Sequence, residues 1–112
     1  MLDEADFRRR SDQALESLKQ ALIVAEEAFG GFEFEDNNGV MNVLFEDGSS
    51  KFVVTPNTPV RQIWISALST SFKLDWSDSA DAFVLAKTGE ALLPLIQRLL
   101  REQLNDSTIT LA

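Results

Sequence analysis

The apolar period of this chain changes twice, and those changes constrain its fold more than any other feature. Phe7, Leu15, Leu18, Leu22, Ala25 and Phe29 recur at threes and fours, with Ser11 and Ala14 filling the stripe. One face of a helix has that period, so an amphipathic helix is predicted over residues 4–28. Asp3, Glu4 and Asp6 suit its positive end, and Gly30-Gly31 ends it. From Phe32 the period becomes two. Phe32 and Phe34 alternate with Glu33 and Glu35; Met41, Val43 and Phe45 alternate with Asn42 and Leu44. Phe52 and Val54 alternate with Lys51, Val53 and Thr55, and Ile63 and Ile65 with Gln62 and Trp64. Leu74 and Trp76 mark a short fifth strand, Phe83 and Leu85 a sixth. Asn37-Asn38-Gly39 is a turn, Asp47-Gly48 is a two-residue hairpin signal, and Pro56 and Pro59 bracket a connection. The helical period returns after Thr88-Gly89-Glu90, with Leu92, Leu93, Ile96, Leu99, Leu100 and Leu104 on one side. Proline is comfortable only in a first turn, so this helix begins near Ala91 or kinks at Pro94. The tail from Asn105 to Ala112 is predicted extended, with Ile109 and Leu111 able to pack.

Helix, about six antiparallel strands, helix is an α+β order. One sheet face carries the apolar positions and needs cover, which the two helices supply. The expected architecture is a two-layer α/β sandwich with both helices on one face of the sheet. A chain of 112 residues fits one domain, taken as 1–112.

Charge and missing residues narrow the chemistry. Ten Lys and Arg against eighteen Asp and Glu give a net charge of −8. Such a surface repels nucleic acid and anionic lipid and attracts cations and basic protein patches. There is no Cys, His or Tyr. Thiolate and histidine metal sites, catalytic triads and cysteine nucleophiles are excluded within one chain. A metal would be held by oxygen ligands, which suit hard ions and release them easily. No apolar run approaches the ~20 residues of a membrane helix. The N-terminus is acidic and lacks a secretory h-region, so the chain reads as cytoplasmic.

Several segments together resemble the frataxin family, in its bacterial form. Thr58-Pro59-Val60-Arg61-Gln62-Ile63-Trp64-Ile65-Ser66 is similar to the signature T-P-x-x-Q-I-W-L-S. Phe7 to Leu15 resembles the opening helix Y/F-x-x-x-A-D-x-T-L. Gly39 to Val43 resembles a G-V-L-T-I strand, and Lys73-Leu74-Asp75-Trp76 an R-Y-D-W strand. The likeness covers nearly the whole chain; the Q-I-W block carries most of its specificity. The chain departs from the family at Ala67 to Ser71, where a Ser-Gly-Pro element is usual, at Phe83 for Trp, and at Thr55 for Asn.

The resemblance implies a frataxin-like sandwich and an accessory or regulatory role in iron–sulfur cluster assembly. It implies weak binding of Fe(II) or Fe(III) on an acidic ridge of the first helix and first strand, with no tightly held cofactor. It implies a monomer, with oligomers forming on iron. At 100° per residue, Asp12, Glu16 and Glu27 fall opposite the apolar stripe, and Glu26 lies on its flank. Asp3, Glu4 and Asp6 crowd the helix start, while Glu33, Glu35 and Asp36 leave the outer face or end of the first strand. These ten carboxylates are the candidate iron ligands, acting collectively. A solvated acidic face is the ordinary alternative. Arg8 and Arg9 stand close enough in sequence to neutralise part of it.

The open sheet face is the second candidate. Alternation puts Asn42, Leu44, Val53, Thr55, Gln62, Trp64 and Lys73 away from the helices. A bare tryptophan rimmed by Gln and Lys has the make-up of a protein-binding patch. In the family the matching Gln and Trp contact the scaffold and the cysteine desulfurase. The plainer alternative is that Trp64 only packs over its cross-strand neighbours. Trp76 shares the parity of Leu74 and is expected in the core.

Two other classes remain in view. A weak ferroxidase is the enzymatic one, but no Glu-x-x-His pair occurs, so an efficient diiron site is not expected. A type III secretion chaperone is also small, acidic and α/β and carries no metal role. It is dimeric, so sedimentation separates it from a monomeric frataxin.

Overall fold

The computed structural model describes residues 2–48 and 50–111; Met1, Ser49 and Ala112 lie outside the described residues. Asp3 caps the first helix by accepting from the Asp6 N–H at 2.8 Å, which satisfies one of the donors a helix start leaves unpaired. The helix, α1, spans Glu4–Phe29. Its buried stripe is Phe7, Ser11, Leu15, Leu18, Ala21, Leu22 and Ala25. Phe29 does not join it and is 39% exposed, because Gly30, at φ 70°, turns the chain away at once.

Six strands follow: β1 Phe32–Asn37, β2 Val40–Phe45, β3 Lys51–Asn57, β4 Gln62–Ala67, β5 Thr70–Ser77 and β6 Ala82–Leu85. They pair antiparallel in sequence order, a simple meander. The first turn is as predicted. Asn38 and Gly39 both have positive φ, the geometry that Asn-Gly favours. The second is not. Leu44 pairs with Lys51, so the connection between β2 and β3 is longer than a two-residue hairpin. The Glu46 N–H donates to Gly31 O at 3.2 Å and carries the chain along β1 before it can turn. The β4–β5 turn places Leu68 and Ser69 at φ 52° and 60°, a strained pair without glycine. The fifth strand is longer than expected and starts at Thr70.

The second helix, α2, spans Leu92–Leu104, so Pro94 sits in its first turn, where its missing N–H costs nothing. Leu92, Leu95, Ile96, Leu99 and Leu100 are buried. The tail packs as the sequence suggests. Ile109 and Leu111 are buried, Arg101 Nε donates to Ile109 O at 2.7 Å, and Leu111 N–H donates to Gln97 Oε1 at 2.9 Å.

Both helices cover the face bearing Met41, Val43, Phe52, Val54, Ile63, Ile65, Leu74 and Phe83, which form one core. Phe7 meets Phe83 edge to face at 5.7 Å between centroids, closing the N-terminal helix onto the last strand. Trp76 packs on Phe83 at 5.2 Å and is half-buried, on the helix side as its parity predicts. Among the described residues no helix is long and apolar enough to cross a membrane.

Candidate functional site

Period-two alternation leaves the other sheet face, among the described residues, without a layer above it. Asn42, Leu44, Val53, Thr55, Gln62 and Trp64 are half-buried there and Lys73 is exposed. The register aligns them. Thr55, Trp64 and Lys73 form one row across β3, β4 and β5, and Asn42 stands opposite Val53 in the next. Lys73 Nζ lies 4.8 Å from the Trp64 ring centroid, within cation–π range. The indole Nε1–H donates to Gln62 Oε1 at 2.8 Å, and Gln62 Nε2 donates onward to Asp75 Oδ1 at 2.9 Å. The ring is thus held at its polar edge and across one face. Beside it lies a hollow of about 310 Å³ lined by Val53, Thr55, Trp64, Ser66, Ser71 and Lys73. Asp75, Ser66 and Ser71 complete this surface and were missed by sequence. Asp75 shares the parity of Lys73, which was the available signal. Leu44 lies farther along, opposite Lys51.

The acidic groups separate into distinct sets. At the start of α1, Asp3 is used as the cap, Glu4 pairs with Arg8 at 3.4 Å, and Asp6 pairs with Arg9 at 3.0 Å. Both arginines therefore turn toward the N-terminus rather than toward Asp12. Asp12, Glu16 and Asp36 line one shallow hollow where α1 passes the end of β1. Asp36 pairs with Met41 and so faces the helix side. There Lys19 approaches it at 3.8 Å and the Gly39 N–H donates to it at 3.2 Å. Glu33 and Glu35, opposite Leu44 and Asn42, belong to the open sheet face. Glu26 is occupied otherwise: its Oε1 accepts the Phe34 N–H at 2.9 Å and ties α1 to the edge strand. Glu27 is exposed on the last turns of α1.

Among the described residues no three carboxylates stand close enough to form a ready-made metal site. Asp12, Glu27, Glu33 and Glu35 have no ion-pair partner among the described residues. Oxygen donors this exposed and this dispersed fit a hydrated, rapidly exchanging cation and not a dehydrated, caged one.

The profile of the frataxin-like domain matches residues 1–106. The iron–sulfur cluster assembly protein CyaY of Pseudomonas fluorescens strain Pf0-1 is 26% identical over 102 residues, 91% of this chain and 89% of that protein. The protein of the same name from Azotobacter vinelandii is 28% identical over 105 residues, 94% of this chain and 92% of its own. In three dimensions the chain is similar to a frataxin from Psychromonas ingrahamii, with a TM-score of 0.78 at 17% identity, covering 98% of this chain and 96% of the other.

Proposed function

The chain belongs to the frataxin family, and from that premise we propose that it serves iron–sulfur cluster assembly in the cytoplasm as a docking and regulatory subunit. It binds a cysteine desulfurase and its scaffold through the open sheet face and attracts iron weakly through its carboxylates. The observation that supports this most is Trp64, half-buried and held by Gln62 and Lys73 on a sheet face that neither helix covers. A preordered aromatic ring loses little rotamer freedom on docking and excludes water over a large area, the properties of an interface anchor. Lys73, at the end of the row, and Asp75, opposite Gln62 in the neighbouring one, supply charges of both signs to fix the register of a partner.

Iron is cargo in this reading and never a structural part. The net charge of −8 raises the local concentration of Fe(II) and of basic protein surfaces. Asp12, Glu16 and Asp36 are the carboxylates that gather most closely around one hollow, and we assign them the first encounter with a hydrated ion. Glu33 and Glu35, on the flank of the docking face, extend the negative field toward the bound partner.

A pull-down with a cysteine desulfurase and its scaffold, with and without Fe(II), tests the proposal. The wild type is retained and folded Trp64→Ala is lost. Equal retention of both proteins, or of neither, overturns it.

A further inference from the structure

The second indole faces a different cavity. Trp76 walls a hollow where α1, the β5–β6 turn and the start of α2 meet, with a volume of about 310 Å³. That is the lower end of the range for small-molecule sites, about 300–1,000 Å³. Its apolar walls are Ala14, Trp76, Phe83, Leu92 and Pro94, and Arg10 enters it from α1. The ring is fixed on three sides. Asp78 accepts from its Nε1–H at 3.0 Å, Phe83 packs edge-on, and the Arg10 guanidinium carbon lies 4.4 Å from its centroid.

Arg10 itself is incompletely satisfied. Its Nε is buried without a hydrogen-bond partner. Its nearest carboxylate, Asp81, stands 3.6 Å from Nη1, too far for a normal hydrogen bond, and Asp81 is 84% exposed while Arg10 is 33% exposed. A guanidinium is a rigid fork matched to a carboxylate, and here stacking on the indole has already restricted its position. A half-buried fork whose neighbouring carboxylate, Asp81, is exposed and beyond hydrogen-bond reach, at a cavity with apolar walls, is complementary to one kind of small molecule.

We infer that this hollow binds a small free carboxylic acid with a flat apolar body, its carboxylate on Arg10 and its body against Trp76 and Leu92. The net charge of the protein opposes any anion, but beyond about 8 Å that repulsion is screened at physiological salt, and within that range the ligand competes only with the long, exposed Asp81 contact for the guanidinium. The affinity expected is modest, a Kd of about 1 mM. Leu74 and Trp76 point to the helix side and Trp64 to the open face, so the hollow is separate from the docking surface.

Benzoate titrated into the ¹⁵N-labelled full chain tests this. Saturable shifts are expected at residues 10–17, 76–83 and 91–94. Benzamide, which has no charge, and acetate, which has no ring, should each bind at least about fivefold more weakly. Arg10→Gln should weaken benzoate by at least about fivefold while the spectrum keeps its folded dispersion. Ala14→Leu keeps the guanidinium and fills the cavity; it should also abolish the shifts, and it decides the matter if Arg10→Gln fails to fold. The inference is overturned by no saturation up to about 20 mM benzoate, by shifts scattered over the surface, by acetate matching benzoate, or by variants that bind as the wild type does.

Discussion

The Trp64 indole N–H and the Gln62 side-chain oxygen, two residues apart on one face of β4, are joined by a hydrogen bond of 2.8 Å. The link orders the ring before any partner arrives. Trp64→Ala is expected to weaken binding to the desulfurase–scaffold complex by about 2 kcal/mol or more. Thermal stability should change little, because the ring packs on the open face and not in the core. Trp64→Phe, which keeps a ring but loses the bond, should fall between. Calorimetric titration and a thermal melt check both parts; an unchanged affinity for Trp64→Ala would remove this residue from the interface.

Paramagnetic Mn(II) reports the carboxylates without oxidation chemistry. Amides near Asp12, Glu16, Asp36 and Gly39 should broaden first and those near Glu33 and Glu35 next. Those near Glu4 and Asp6 should broaden last, since Arg8 and Arg9 neutralise them. Uniform broadening, or none at millimolar metal, would discard the collective site.

Glu90 and Arg98 give a pH dependence with a definite sign. The Arg98 guanidinium donates to both Glu90 oxygens, at 2.8 and 3.0 Å, and holds that carboxyl below its ordinary value, with Thr88 adding a further bond. A carboxyl depressed in the folded state stabilises fully above its unfolded pKa and loses that contribution as pH falls through the folded one. Arg98 is 43% exposed, so solvent discounts the pair to about 0.5–1 kcal/mol. Glu90→Gln should therefore lower stability by that amount at neutral pH and by progressively less as the acid limb is descended. Urea melts at several pH values measure it; a difference independent of pH would refute the assignment.

Ser69, at φ 60° in an exposed turn, is strained at about 1–2 kcal/mol for an L-residue. Glycine removes that strain but adds about 0.5–1 kcal/mol of unfolded-state entropy. Ser69→Gly should thus gain up to about 1.5 kcal/mol, read as an upward shift in the midpoint of a denaturant melt. Leu68 is a poorer choice, because its side chain packs against the core.

Much of this was legible before any coordinates. Helix α1 announced itself because Phe7 to Ala25 keep one period, and β2 because each of Met41, Val43 and Phe45 is buried while its neighbours are only half-covered. The same parity separated Trp64 from Trp76, although they differ in nothing but position. What failed was decided by contacts distant in sequence. Asp47-Gly48 promised a tight hairpin, but the Glu46 N–H is taken by Gly31. Phe29 extended the stripe by arithmetic, yet Gly30 ends the helix before that face meets the sheet. Whether Arg9 turns to Asp6 or to Asp12, and whether Glu26 faces solvent or seizes the Phe34 N–H, depends on rotamers and on the placement of the edge strand, which no periodicity encodes.

The meander order also governs how the chain is assembled. Every strand pairs with its predecessor, so each hairpin forms locally and closes only a short loop. Contact between Phe7 and Phe83 is of another kind, because it joins the opening helix to the final strand and requires everything between them to be laid down first. Folding of this domain is therefore expected to be all-or-none, and a nascent chain on the ribosome cannot complete its core until α2 and the segment through Leu111 have been synthesised.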